Sequence, residues 1–232
     1  MSAIAPRPED TLIEIGPGLG ALTHPLLAIM PFMHAVEIDR DLATRLRAAW
    51  PPERLDLHEA DVLAFDFAKI PGRLRIVGNL PYNISTPLLF HLARYADRIV
   101  DCHFMLQKEV ADRMTATAGE EAYGRLTVML AHRFYVETLF DVPPEAFRPP
   151  PKVESAVVRM IPNPAPLSVT DADVFERVVA AGFGQRRKTM RNSLAGLADV
   201  GDFQAVGIDP ARRAETLSLE EFVALANRIA SA

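Results

Sequence analysis

A glycine-rich loop between an apolar strand pattern and a helical pattern constrains the fold of this chain more than any other feature. Residues Thr11 to Ile15 predict a short buried strand, and the loop Gly16-Pro17-Gly18-Leu19-Gly20 follows it. A helical pattern then runs from Ala21 to about Met30. Glycines let the backbone approach a ligand closely, and the first N–H groups of a helix are free at the same point. The loop predicts a nucleoside-containing cofactor, and a plain tight turn is the alternative.

Strand patterns alternate with helical patterns as far as residue 133, which predicts a mostly parallel, doubly wound α/β sheet. Two further strands, Phe134–Val142 and Val153–Met160, are joined without a helix and predict an antiparallel pair at the sheet edge. The proline-rich segment Pro162–Pro166 predicts a domain boundary. We therefore expect a first domain over residues 1–162 and a small all-α domain over residues 163–232.

Acidic residues follow the second and third predicted strands. Glu37 ends the second strand, where an acidic side chain can accept hydrogen bonds from both hydroxyls of a ribose. Asp61 follows the third strand and could accept from an adenine amino group, with Val62 beside the ring. A helix cap or turn is an equal alternative for Asp61, and a solvated strand end is the alternative for Glu37.

The stretch Asn79-Leu80-Pro81-Tyr82 follows a fourth apolar strand and predicts chemistry on a flat ring that carries an amine. The amine of adenine is a poor nucleophile because its lone pair is delocalised into the ring. The side-chain oxygen of Asn79 and the carbonyl of Leu80 could hold the two N–H groups and favour a pyramidal nitrogen. Tyr82 offers an aromatic face for an extruded base.

A second aromatic residue and two groups of basic residues extend this interpretation. Phe147 lies in a stiff, proline-rich link and could stack on the other face of a base, or it could pack as a satellite of the core. The basic residues that could contact an RNA backbone are Arg148, Lys152, Arg186, Arg187, Lys188 and Arg191. A solvated surface is the alternative for the cluster around Arg187, because the net charge of −5 disfavours a nucleic-acid partner.

Composition excludes several classes of protein. No apolar run is long enough for a transmembrane helix, and the first residues do not resemble a signal peptide. The single cysteine, Cys102, excludes an internal disulfide and favours a cytoplasmic location. The six histidines show no metal-binding spacing, so no metal site is expected.

Several motifs, in one order along the chain, resemble the ribosomal RNA adenine N6,N6-dimethyltransferases, and most closely the bacterial type that acts on small-subunit (16S) rRNA. The motifs are Glu14-Ile15-Gly16-Pro17-Gly18-Leu19-Gly20, Glu37-Ile38-Asp39, Asn79-Leu80-Pro81-Tyr82-Asn83-Ile84-Ser85, Tyr123-Gly124-Arg125-Leu126, the Phe147–Val153 link and Arg186-Arg187-Lys188-Thr189. The resemblance covers nearly the whole chain.

The resemblance implies a Rossmann-like methyltransferase sheet that binds S-adenosylmethionine and a helical C-terminal domain that contacts RNA. It implies that Gly16, Gly18, Gly20, Glu37, Asp61, Val62 and Asn79 surround the cofactor. The implied substrates are two adjacent adenosines near the 3′ end of 16S rRNA in the small ribosomal subunit. The implied enzyme is a monomer that needs no metal.

The family pattern usually opens with a segment containing Phe-Gly-Gln-Asn-Phe-Leu, which this sequence does not contain. A non-catalytic RNA-binding factor of ribosome assembly is therefore an alternative function. A large-subunit rRNA adenine methylase of the antibiotic-resistance type is a second alternative.

Overall fold

The computed structural model describes residues 1–148 and 150–231, and those residues form one sheet of seven strands. The strands are β1 (Thr11–Ile15), β2 (Met33–Glu37), β3 (Leu55–Glu59), β4 (Leu74–Asn79), β5 (Ile99–Gln107), β6 (Phe134–Val142) and β7 (Ser155–Pro162). They lie in the order β3-β2-β1-β4-β5-β7-β6. Pairing is parallel from β3 to β5, and β7 is antiparallel to both β5 and β6. The predicted parallel sheet with an antiparallel edge is confirmed.

Helices connect the strands and make up most of the chain after β7. The helices are α1 (Thr23–Leu27), α2 (Arg40–Ala49), α3 (Ser85–Ala93), α4 (Lys108–Thr115), α5 (Arg125–Arg133), α6 (Ala172–Gly184), α7 (Met190–Ser193), α8 (Val200–Ala205) and α9 (Leu219–Ala230). Helix α2 begins where the Asp39 side chain accepts hydrogen bonds from the first free N–H groups. Helix α1 is shorter than the predicted helix, and Leu22 provides no capping side chain at its start.

The chain packs into two compact units, each with its own core. The sheet unit contains residues Met1–Ala111 and Phe134–Pro162. Part of its core lies where one face of β1 and β2 packs against α1 and α2, through Leu12, Leu26 and Met33 among others. The helical unit contains residues Asp112–Arg133 and the chain from Asn163 onward.

The helical unit differs from the predicted division of the chain in one segment. Residues 112–133 were expected in the first domain, but they pack with the helices after residue 162. Tyr123 and Val128 belong to the same buried cluster as Phe175 and Phe222. The Tyr123 hydroxyl also donates a 2.8 Å hydrogen bond to the carbonyl of Leu217. The apolar surface of the segment is therefore covered by residues that are distant in sequence.

The carboxyl ends of β1, β2 and β4 lie at one edge of the sheet because the three strands are parallel. Ile15 pairs with Val36 on one side and with Gly78 on the other. A Cβ atom on Gly78 would lie 2.7 Å from the carbonyl oxygen of Ile15, so only glycine allows β4 to approach β1 this closely. This register brings the glycine loop, Glu37 and Asn79 to the same edge, where ligands of open α/β sheets bind.

Within the described ranges, no helix combines the length and the apolar character that a membrane crossing requires.

Candidate active site

The loop after β1 has a backbone conformation that favours glycine. Gly16, Gly18 and Gly20 have φ angles of +64°, +58° and +85°, in the left-handed region that other residues rarely adopt. A Cβ atom on Gly16 would meet no other atom within 4 Å, so open space lies in front of the loop. The N–H of Gly16 donates to the carbonyl of Val36, which fixes the loop to β2. A ligand can therefore come close to the backbone of this loop.

Glu37 connects this loop to the end of β2. Its side chain is buried, and its two oxygens accept hydrogen bonds from the N–H of Gly18 at 3.1 Å and the N–H of Asp39 at 3.0 Å. Each carboxylate oxygen can accept a second hydrogen bond. The carboxylate is thus held in one orientation and retains acceptor capacity for the two hydroxyls of a ribose.

Asp61 and Val62 follow β3, next to Glu37 in the sheet. The N–H of Ala60 donates to the carbonyl of Glu37, which fixes the start of this turn. Asp61 is exposed, and its Oδ1 accepts from the N–H of Leu63 at 2.9 Å. Asp61 therefore makes the turn that was one of its two predicted roles, and its carboxylate also faces solvent. Val62 is buried, so most of its surface is unavailable to a ligand.

The turn after β4 presents Asn79 and Tyr82 at the surface. Asn79 is exposed, whereas the side chain of Leu80 is buried and its N–H donates to the carbonyl of Met105 on β5. Tyr82 is 38% exposed, and its hydroxyl shares a 3.1 Å hydrogen bond with Ser155 Oγ on β7. The ring of Tyr82 is therefore held at one end and remains accessible.

Glu14 is a buried acid for which the sequence interpretation gave no role. It lies on β1, one residue before the strand ends, and is only 2% exposed. Thr23 Oγ1 donates a 2.6 Å hydrogen bond to its Oε2, which joins the two ends of the glycine loop. Burial raises the pKa of Glu14 to about 7, and the nearby charge of Glu37 adds to this effect. The sequence signal was a charged residue within an otherwise apolar strand.

Phe147 and the basic residues near it lie in the segment between β6 and β7. Phe147 is half-buried, and Arg148 and Lys152 are exposed. No ring contact or hydrogen bond among the described residues connects Phe147 to Tyr82, so the predicted pair of stacking surfaces remains a prediction.

The second basic group lies in the helical unit. Arg187, Lys188 and Arg191 are exposed, whereas Arg186 donates to the carbonyl of Glu121 at 2.6 Å and lies 3.6 Å from Glu215. A shallow cavity of mixed charge is lined by Gly119, Glu120, Glu121, Arg186, Arg187, Arg213 and Glu215. Arg186 is thus partly neutralised, and Arg213 is a further cation that the sequence interpretation did not include.

A family model described as ribosomal RNA adenine dimethylase matches residues 1–231. The chain belongs to this family. This family member is an rRNA adenine dimethyltransferase, and S-adenosylmethionine is its methyl donor.

Individual relatives agree with this assignment over nearly the whole chain. A ribosomal RNA small subunit methyltransferase A of Laribacter hongkongensis is 62% identical over 231 residues, covering 98% of this chain and 88% of that protein. A solved dimethyladenosine transferase from Plasmodium falciparum has a TM-score of 0.81 at 25% identity, over 97% of this chain and 91% of that one. The solved 23S rRNA methyltransferase ErmE has a TM-score of 0.71 at 25% identity, over 99% and 94% of the two chains. The family member therefore shares its fold with these two solved structures over nearly its whole length.

Proposed function

We propose that this family member transfers methyl groups from S-adenosylmethionine to N6 of two adjacent adenosines near the 3′ end of small-subunit (16S) rRNA during ribosome assembly. The observation that carries the proposal is the Asn79–Tyr82 turn at the end of β4, in register with the glycine loop after β1. The 62% identity to a protein named as a small-subunit methyltransferase supports the choice of rRNA.

The cofactor is held by three groups at the carboxyl edge of the sheet. The open space in front of Gly16 fits the methionine part of S-adenosylmethionine. The carboxylate of Glu37, oriented by the N–H groups of Gly18 and Asp39, accepts hydrogen bonds from the ribose hydroxyls. Asp61 accepts a hydrogen bond from the adenine amine of the cofactor. A sulfonium supplies an already activated methyl group when the cofactor is bound.

Asn79 and Leu80 act on the amine of the target adenosine. The side-chain oxygen of Asn79 and the carbonyl of Leu80 accept hydrogen bonds from the two N–H groups of N6. These contacts favour a pyramidal nitrogen, whose lone pair then points at the methyl carbon. Bound S-adenosylmethionine would supply each methyl group from its sulfonium, and N6 would release one proton to solvent for each methyl group that it gains. This chemistry depends on position and polarisation, so it requires no metal and no covalent nucleophile.

Aromatic and basic side chains hold the RNA. The accessible ring of Tyr82 stacks on the extruded base, and Phe147 covers the opposite face. Arg148 and Lys152 in the sheet unit bind phosphates. In the helical unit, the exposed residues Arg187, Lys188 and Arg191 contribute more to phosphate binding than Arg186, which is paired with Glu215. We further propose that the enzyme is a cytoplasmic monomer whose partner is the small ribosomal subunit.

The test is transfer of labelled methyl from S-adenosylmethionine to small ribosomal subunits that lack the modification. The expected product after digestion is N6,N6-dimethyladenosine in the 16S rRNA. Asn79→Ala should lower the rate by about 100- to 1,000-fold, a loss typical of removing one preorganised hydrogen-bonding group. Cofactor binding, measured by calorimetry, should survive in this variant.

Matched controls separate the alternatives. Asn163→Ala, in the turn after β7, should keep the rate within about threefold, because its side chain accepts a local hydrogen bond from the N–H of Ala165. Labelling of unmodified large subunits instead of small ones would indicate the large-subunit specificity. Absence of labelling on both would indicate a non-catalytic assembly factor, and either result would overturn the proposal.

A further inference from the structure

Two histidines and an aspartate form a cluster on one face of the sheet. His34 lies on β2 and pairs in register with Asp56 on the edge strand β3. Paired residues of parallel strands point to the same face, and His58 lies two residues after Asp56, so it shares that face as well. The spacing of these residues along the chain predicts no metal site. The pairing of the two strands brings them together.

The distances within the cluster fit a small divalent cation. Asp56 Oδ2 lies 3.0 Å from His34 Nδ1 and 3.2 Å from His58 Nε2. One ligand atom from each of the three residues lies within 4.8 Å of the others. Tetrahedral Zn²⁺, with bonds of about 2.0–2.2 Å to nitrogen and oxygen, requires its ligand atoms to be about 3.3–3.5 Å apart. The two separations that involve Asp56 Oδ2 are close to this requirement, and the two nitrogens lie within 4.8 Å of each other.

The surroundings of the cluster favour ligand roles for the two imidazoles. His58 Nε2 is shielded from solvent and, among the described residues, makes no hydrogen bond with suitable geometry. A buried polar nitrogen without a well-formed hydrogen bond is unfavourable, and a cation would satisfy it. The two imidazole rings stack with centroids 5.8 Å apart, while Phe32 packs against His34 and Phe65 against His58. The rings are thus held in place before an ion arrives.

We propose that His34, Asp56 and His58 bind one divalent cation of the Zn²⁺ type, with water completing the coordination. Two imidazoles and one carboxylate match the ligand preference of Zn²⁺ and neighbouring transition metals, whereas Mg²⁺ and Ca²⁺ prefer oxygen ligands. The ion joins the edge strand β3 to β2. Glu37 ends β2 and Asp61 follows β3, so the ion steadies two strands that lead to acidic residues of the proposed cofactor site. It takes no part in methyl transfer.

The first experiment is calorimetric titration of the untagged, metal-free protein with Zn²⁺ alone. We expect one ion per chain. Asp56→Asn and His58→Gln preserve side-chain shape and should each weaken binding by at least about tenfold. His132→Gln is the matched control, because His132 lies in the helical unit and bonds to the carbonyl of Leu167. Equal binding by all the variants, or no binding by the unaltered chain, would overturn the proposal.

Two measurements on the unaltered chain do not depend on how the variants fold. X-ray absorption of the 1:1 zinc complex should show nitrogen and oxygen ligands that include two imidazoles. A sulfur ligand would assign the ion to Cys102 and contradict the site. Hydrogen exchange of the β3 amides should slow when Zn²⁺ is added, because the ion joins the edge strand to its neighbour. Unchanged exchange in β3 at full occupancy would place the ion elsewhere.

Discussion

Replacing Glu14 with glutamine should stabilise the sheet unit at alkaline pH and have little effect at acidic pH. Glu14 is 2% exposed, and its pKa of about 7 is well above the ordinary value of 4.5. Folding therefore favours the protonated form. The stability that this preference provides is complete below about pH 4.5 and is lost as the pH rises through about 7. Glutamine cannot ionise, and its oxygen can still accept from Thr23.

The magnitude follows from the two pKa values of Glu14. Their difference, from 4.5 to about 7, corresponds to about 3 kcal/mol at about 1.36 kcal/mol per pH unit. About a quarter of this cost is already present at pH 5, because the unfolded carboxyl is largely ionised there. The stability advantage of Glu14→Gln over the unaltered chain should therefore grow by about 2 kcal/mol between pH 5 and pH 8.

The assay is urea unfolding at both pH values, followed by the fluorescence of Trp50. Trp50 is the single tryptophan of the chain and lies in the sheet unit, so its signal reports on the unit that contains Glu14. Glu53→Gln is the control, because it makes the same chemical change at an exposed position of the same unit. If the difference in unfolding free energy between Glu14→Gln and the unaltered chain did not change with pH, a raised pKa for Glu14 in the folded protein would be refuted.

Three further predictions concern the proposed active site and the strands that support it. Glu37→Gln should weaken binding of S-adenosylmethionine by about 10- to 100-fold in calorimetry, because charged hydrogen bonds to the ribose are lost. Unchanged affinity would exclude the proposed contact between Glu37 and the ribose. Gly78→Ala should lower the free energy of unfolding in urea by about 2 kcal/mol or more, since its Cβ would lie 2.7 Å from a backbone oxygen. Gly184→Ala is the control, because a Cβ there meets no atom within 4 Å, and it should lower the same free energy by less than about 1 kcal/mol. Tyr82→Phe should keep the methylation rate within about fivefold of that of the unaltered chain, whereas Tyr82→Ala should lower it by about 10- to 100-fold, because stacking needs the ring and not the hydroxyl. Equal losses in the two variants would contradict the stacking role.

Elements with strong local signals were predictable from the sequence. The bounds of β1 and β6 agree with the predicted ranges, because each is a largely apolar run that ends directly before a glycine or a proline. Helix α2 also begins at a local signal, since the Asp39 side chain accepts hydrogen bonds from two of its backbone N–H groups. The mostly parallel pairing of the sheet also followed from the alternation of strand and helix patterns.

Contacts between distant residues were not predictable in the same way. Only the bond from Tyr123 to Leu217 and the shared core show which unit the segment with α5 joins. The cluster of His34, Asp56 and His58 depends on the pairing of two strands, so residue spacing did not indicate it. The raised pKa of Glu14 arises from burial in three dimensions, although its place in an apolar strand was visible.

The composition of the helical unit from two separate stretches of chain has a consequence for synthesis on the ribosome. Tyr123 leaves the ribosome 94 residues ahead of Leu217, the residue whose carbonyl its hydroxyl binds. At about 5–20 residues per second, the apolar face of residues 112–133 remains uncovered for about 5–20 s of translation. The nascent chain therefore passes through a period when this segment needs protection from aggregation. A fragment that ends at residue 162 would keep that exposure permanently, so the helical unit cannot be removed by simple truncation.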